Sequence, residues 1–165
     1  MPLAGYSRGR NRAFLPCEGA FAWILDNEEG PLWYRGLASN PETTESPHVQ
    51  SLLETYGVNH VIVGHTPDLG VITPRFGGIV VVTDTGISAY YGSHKGSMLV
   101  ENGIHYALQN GEQIPLPTSD EEMIPYFQTI SELQPENARV RAHLENLINP
   151  PAEELPVIEE TTENL

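Results

Sequence analysis

Between residues 47 and 110 the apolar positions fall first at helical and then at strand spacing. Val49, Leu52, Leu53 and Tyr56 stand at i, i+3, i+4 and i+7, one face of a helix over Pro47 to Tyr56, and Gly57 is suited to close its C-terminus. Next, His60-Val61-Ile62-Val63 sets three β-branched residues in succession and predicts a buried strand. Gly64 and Thr66-Pro67 end it, because proline cannot donate to a sheet ladder, and His65 is left at the strand's C-terminal end. Helix, glycine link and strand make an α/β unit, and ligands or metals collect at the ends of such strands.

Shorter strands follow at Gly70 to Thr73, Gly78 to Thr83, Ser97 to Val100 and His105 to Leu108, with Glu101-Asn102-Gly103 suited to a tight hairpin. Residues 58 to 110 therefore read as a mostly antiparallel sheet. Upstream, Asp26 to Pro31 has turn composition, Leu32 to Gly36 sets aromatic residues around Arg35, and Asn40 to Pro47 reads as a polar loop. Arg12 to Leu25 fits either a helix or an extended segment. Beyond Pro115 the chain is acidic and broken by prolines, with one helix expected at Asn137 to Ile148. Pro150 to Leu165 lacks any core-forming pattern and is expected to be disordered.

Composition narrows the function classes. The 165 residues suit one domain, and the net charge of −14 is concentrated toward the C-terminus, where residues 101 to 165 hold only Arg139 and Arg141 as bases. Binding to nucleic acid or to an anionic membrane takes clustered Lys and Arg, so this charge argues against both. Cys17 is the sole cysteine, which excludes an internal disulfide, a thiolate zinc cage or a redox pair within one chain. No run of about 18 apolar residues occurs, and Met1 to Arg12 is basic and polar without an apolar signal core.

Two constellations compete for the chemistry. Asp84-Thr85-Gly86 after an apolar strand matches the active-site loop of aspartic proteases, which need two such loops sharing a proton and hence a homodimer here. The other is an ordered series: Gly30-Pro31-Leu32-Trp33-Tyr34-Arg35-Gly36, Val61-Ile62-Val63-Gly64-His65-Thr66-Pro67, Arg75-Phe76-Gly77-Gly78, Asp84-Thr85-Gly86-Ile87-Ser88 and Tyr90-Tyr91-Gly92. Over about residues 10 to 110 this series resembles the C-terminal half of calcineurin-like metallophosphoesterases, in particular the bacterial Shewanella-like branch related to serine/threonine protein phosphatases. In that resemblance Asp84-Thr85-Gly86 is a structural turn.

The resemblance implies an α/β (α+β) fold, part of a four-layer α/β/β/α sandwich that includes mostly its second, antiparallel or mixed sheet. It implies phosphate monoester hydrolysis at a dinuclear centre of divalent metal ions (Mn, Fe or Zn). His65 would be one metal ligand, and Arg35 would bind the substrate phosphate, where a planar guanidinium grips two oxygens. The plainer alternatives are a loop hydrogen bond for His65 and a salt bridge or aromatic stack for Arg35. Tyr90, Tyr91 and His94 fall in a loop near the family's site.

The family's Asp-x-His, Gly-Asp-x-x-Asp-Arg-Gly, Gly-Asn-His-Glu and His-Gly-Gly motifs do not occur in this sequence, and one histidine cannot hold two metals. The expectation is a C-terminal part of a metallophosphoesterase domain over residues 1 to 112, an acidic helical extension over 113 to 149 and a tail over 150 to 165. Such a chain is expected to be inactive alone. Its partners would be a missing N-terminal half or a second copy of itself, with a phosphorylated substrate for the complete enzyme. Any export signal would lie in that missing half. The alternative from another class is a non-catalytic interaction module that pairs through an exposed sheet.

Overall fold

The computed structural model describes residues 32 to 150 together with Ile24, Asn27, Glu29 and Gly30. The expectations for Met1 to Arg12, for the Arg12 to Leu25 segment, for Cys17 and for the C-terminal tail lie outside the described residues, apart from Ile24 and Pro150. The chain forms a mixed α+β fold with two three-stranded sheets, in agreement with the expected class. The first sheet has the order β1-β3-β2, with β1 (Val61–Val63), β2 (Thr73–Arg75) and β3 (Val80–Val82). β1 runs parallel to β3, pairing Val61 with Val80 and Val63 with Val82, whereas β2 is antiparallel to β3. The second sheet is antiparallel, β4 (Gly96–Glu101), β5 (Ile104–Gln109) and β6 (Glu112–Pro115). The apolar run over 58 to 110 is thus split between two sheets, because the alternating residues of Val80 to Val82 serve two different cores.

Val81 faces one core with Val71, Ile72, Ala107, Ile114, Phe127, Ile130 and Val140. Val80 faces the other with Leu37, Val49 and Phe76. Adjacent strand residues point to opposite faces, so three valines in a row make a strand buried on both sides. The second sheet and helices α3 (Met123–Leu133) and α4 (Ala138–Ile148) close the first core, and α2 (Glu42–Tyr56) closes the second. Phe127 and Ile130 are fully buried, each worth roughly 2 to 3 kcal/mol relative to exposure. Tyr126 donates its hydroxyl to the Ile72 carbonyl at 2.7 Å, which spares that buried carbonyl a desolvation penalty.

Several local expectations hold and others shift. α2 ends as expected: Gly57 is left-handed at φ 60°, and the N–H groups of Gly57 and Val58 both reach the Leu53 carbonyl. Its start is five residues earlier than expected, at Glu42, with Pro47 inside the helix at the cost of one ladder bond. Val49, Leu52 and Leu53 pack inward, but Tyr56 is exposed. β1 is not the buried strand expected, since it is an edge strand with a single neighbour and leaves Ile62 53% exposed. The segment from Gly70 to Ile72 is buried as loop, and its strand begins only at Thr73. The hairpin at Asn102-Gly103 forms, with both residues left-handed. Asn137 caps α4 by accepting from the Val140 N–H. Helix α3 falls in the stretch beyond Pro115 read as broken by prolines, and its Pro125 occupies the first turn, where a missing N–H has no partner to lose.

Candidate functional site

Arg35 precedes α1 (Gly36–Ser39), a single turn that leads through Asn40 and Pro41 into α2. Its guanidinium Nη1 donates to the carbonyls of Leu32 at 3.3 Å and Tyr34 at 3.1 Å, and its Cζ lies 5.8 Å from the centroid of the Trp33 ring. The aromatic stack weighed as an alternative is therefore present. No carboxylate pairs with Arg35 among the described residues, so its charge stays open to an anion.

The buried acid of this region, Glu45, is engaged by other residues. Glu45 of α2 is 4% exposed and accepts from the Tyr34 hydroxyl in a short bond and from the Asn40 side-chain amide at 2.7 Å. Its second oxygen lies 3.2 Å from His48 Nδ1. The Tyr34 bond chiefly, with help from Asn40 and His48, holds the Glu45 carboxyl below its ordinary range against burial, which would raise it. Burial, the bond to Glu45 and the charges of Glu45 and Glu29 push the Tyr34 phenol up to about 12. Gly36 fits this cluster for a steric reason. A methyl group there would collide with Tyr34 Oη and Glu45 Oε1.

A second brace comes from β2. Arg75 donates to the Leu37 carbonyl at 2.9 Å and the Asn40 carbonyl at 2.5 Å, and its Nε lies 3.5 Å from Glu42. The Arg35 to Asn40 segment is thus fastened both to α2 and to the first sheet. Glu45 is not singled out by the sequence, and Arg75 enters there only within the Arg75-Phe76-Gly77-Gly78 motif, with no role of its own. The available signal was that Glu45 lies four residues before Val49 on the same face, and a buried glutamate requires partners.

His65 follows Gly64 beyond the C-terminal end of β1 and is exposed, at φ 62°. A left-handed histidine carries the turn expected of Gly64, a conformation that costs a residue with a Cβ about 1 to 2 kcal/mol. Its imidazole makes no hydrogen bond or ion pair among the described residues. The Asp84 loop lies at the same sheet end: the Thr83 N–H and hydroxyl both donate to the Val63 carbonyl, at 2.8 and 3.0 Å. Asp84 accepts from its own Gly86 N–H at 3.0 Å, and Thr85 is buried with its hydroxyl on the His94 carbonyl. These bonds make Asp84-Thr85-Gly86 a closed turn. Asp68 and Leu69, further along the His65 loop, have their carbonyls bound by Arg139 and Asn137.

The structure does not bring Arg35 and His65 into contact. The Arg35 segment is fastened to Arg75, which pairs with Val80, whereas His65 leaves the opposite, Val63 and Val82, end of that sheet. Among the described residues no three His, Cys, Asp or Glu side chains converge, so these residues do not fit a dinuclear metal centre by themselves. Tyr90 and Tyr91 pack edge to face at 4.9 Å in an exposed turn.

Comparison with known proteins points the same way as the fold. No protein-family model matches the chain. The chain is 28% identical to a point mutant of a cold-active protein tyrosine phosphatase over 59% of its own length, with a TM-score of 0.51, and so has a phosphatase-like fold. The cold-active protein tyrosine phosphatase of a psychrophilic Shewanella species is 30% identical over 56% of the chain, with a TM-score of 0.49. An uncharacterized protein of Schizosaccharomyces pombe is 42% identical over 65 residues. The chain spans 28% of the first structure's length and 20% of the yeast protein's. Among the described residues no helix is long and apolar enough to cross a membrane.

Proposed function

We propose that the chain carries the substrate-binding arginine, Arg35, and one metal-ligand histidine, His65, of a calcineurin-like phosphate monoesterase, and that it is inactive alone. The observation that carries this reading is the Arg35 guanidinium, which has no carboxylate partner among the described residues and is half-buried against Trp33 while Glu45 engages Tyr34, Asn40 and His48. Such a planar cation on a phosphatase-like fold is suited to a bidentate phosphoryl group. The tyrosine phosphatases similar to this chain make a phosphorylated protein a candidate substrate. Divalent Mn, Fe or Zn would activate water in the complete enzyme, with the further donors coming from outside the described residues.

The test is hydrolysis of p-nitrophenyl phosphate by the purified chain with added Mn or Zn. No turnover is expected from the chain alone. Turnover is expected on addition of a polypeptide carrying the four metal-binding motifs, with loss in both Arg35→Ala and His65→Ala. Metal-dependent hydrolysis by the chain alone that His65→Ala abolishes would overturn the proposed inactivity.

A second reading, a non-catalytic pairing module, is favoured by the exposed Ile62 on the edge strand β1. A monodisperse monomer that unfolds cooperatively would speak for an independent module. Self-association lost on Ile62→Lys would place the pairing surface on that edge.

A further inference from the structure

We propose that Tyr34 and Glu45 act as the positioning pair of Arg35, holding the backbone on either side of it so that its guanidinium is presented ready for a phosphoryl group. The inference rests on the phosphate-binding reading of Arg35 and goes beyond it by assigning a role to residues that touch no substrate. Arg35 lies between two residues that the pair controls. Tyr34 precedes it and is bonded through its hydroxyl to Glu45. Gly36 follows it and lies so close to both Tyr34 Oη and Glu45 Oε1 that a Cβ there would displace one of them.

The Tyr34 carbonyl accepts from Arg35 Nη1 at 3.1 Å, so fixing Tyr34 also fixes one contact of the guanidinium. The same carboxylate takes the Asn40 amide, and Arg75 takes the Asn40 carbonyl, which closes the far end of the segment. A long, rotamer-rich side chain loses affinity when it must be ordered on binding. Here one Nη1 is already committed to two carbonyls, and the ring of Trp33 supports the plane. A buried glutamate needs some partners merely to be tolerated. Tolerance does not explain why the cluster is built around the two neighbours of an arginine that has no carboxylate partner among the described residues.

The pair works through Arg35, so the test separates positioning from stability. In the full chain, the Arg35 Nε–Hε signal is followed by NMR, first without ligand and then during titration with inorganic phosphate. Wild-type protein is expected to show an ordered Nε–Hε that shifts saturably. Tyr34→Phe is expected to keep the fold, to increase the mobility of Nε–Hε and to weaken phosphate binding by about five- to tenfold, an order-of-magnitude expectation for lost preorganisation. Glu45→Gln, which keeps the shape and one acceptor, should fall between Tyr34→Phe and wild type. Ile130→Val, a buried change in the other core, should lower stability yet leave both Arg35 readouts unchanged.

Phosphate binding and Arg35 mobility that are unaltered in Tyr34→Phe would overturn the positioning role while leaving Arg35 as the phosphate ligand. An equal loss in Ile130→Val would overturn it by showing that general destabilisation is sufficient. A wild-type Arg35 that phosphate does not shift would overturn the phosphate-binding reading and the proposal with it.

Discussion

Arg35 and His65 are the two residues on which the phosphoesterase resemblance turns, and their surroundings differ in kind. Arg35 sits in a segment fastened by Glu45, Asn40 and Arg75, with its own guanidinium committed on one side to backbone carbonyls. His65 sits on an exposed left-handed turn, and among the described residues its ring makes no hydrogen bond or ion pair. A side chain that recognises an anion can be made ready by groups from its own neighbourhood. A metal ligand gains its orientation from the metal and from other ligands, which these described residues do not bring to His65. The two regions therefore predict opposite responses to substitution.

The largest effect is expected at the cluster around Arg35. Glu45→Ala removes one acceptor and leaves the Tyr34 hydroxyl and the Asn40 amide without a partner, a loss of about 2 to 3 kcal/mol by chemical denaturation. A loss below about 0.5 kcal/mol, the range of ordinary surface changes, would mean that the cluster is not structurally coupled. At the other region, His65→Gly should raise stability by about 1 kcal/mol, since glycine adopts the left-handed turn without the Cβ penalty. A destabilised His65→Gly would show that the imidazole has partners after all and would erase the contrast.

The pH dependence sharpens the comparison further. The Glu45 carboxyl titrates below its ordinary range in the folded chain, so its contribution is complete above about pH 4.3 and disappears as pH falls through the depressed folded value. Thermal unfolding of Glu45→Gln should accordingly lose less stability than wild type across that acid limb. The smallest effect belongs to the contact between the two sheets, where the His60 and His105 rings meet edge to face at 4.3 Å. Desolvation first, and the neighbouring His105 second, lower the His60 pKa. The folded state thus resists protonation there, and stability that is complete above about pH 6.5 declines as pH falls through the lower folded value. His60→Gln should flatten that decline, with His143, lowered mainly by burial against Phe127, supplying the remainder.

Much of the local structure was legible in the chain because it depends on neighbours in sequence. The Gly57 stop, the Asn102-Gly103 turn and the helix beginning at Asn137 each need a few adjacent residues and a backbone preference. The burial of β1 was misread for the complementary reason. Three β-branched residues look alike in an edge strand and a central one, and the chain order does not say that β3 and not β1 takes the middle of the sheet. The same limit hid α3, where Pro125 reads as a breaker until its place in the first turn is known.

For the candidate site the division runs between residue type and residue company. The sequence by itself determined that an arginine follows Trp33-Tyr34 and that a histidine ends an apolar strand, since both are statements about adjacent positions. Only the tertiary structure decided that Glu45, ten residues after Arg35, turns its carboxylate to Tyr34, and that Arg75, forty residues after it, ties down the same segment. It likewise decided that Arg35 and His65 attach to opposite ends of one sheet. The physical reason is that a hydrogen bond or a close contact forms between whichever groups the packing of helix on sheet brings within about 3 Å, and that packing is settled by cores shared among residues far apart in the chain.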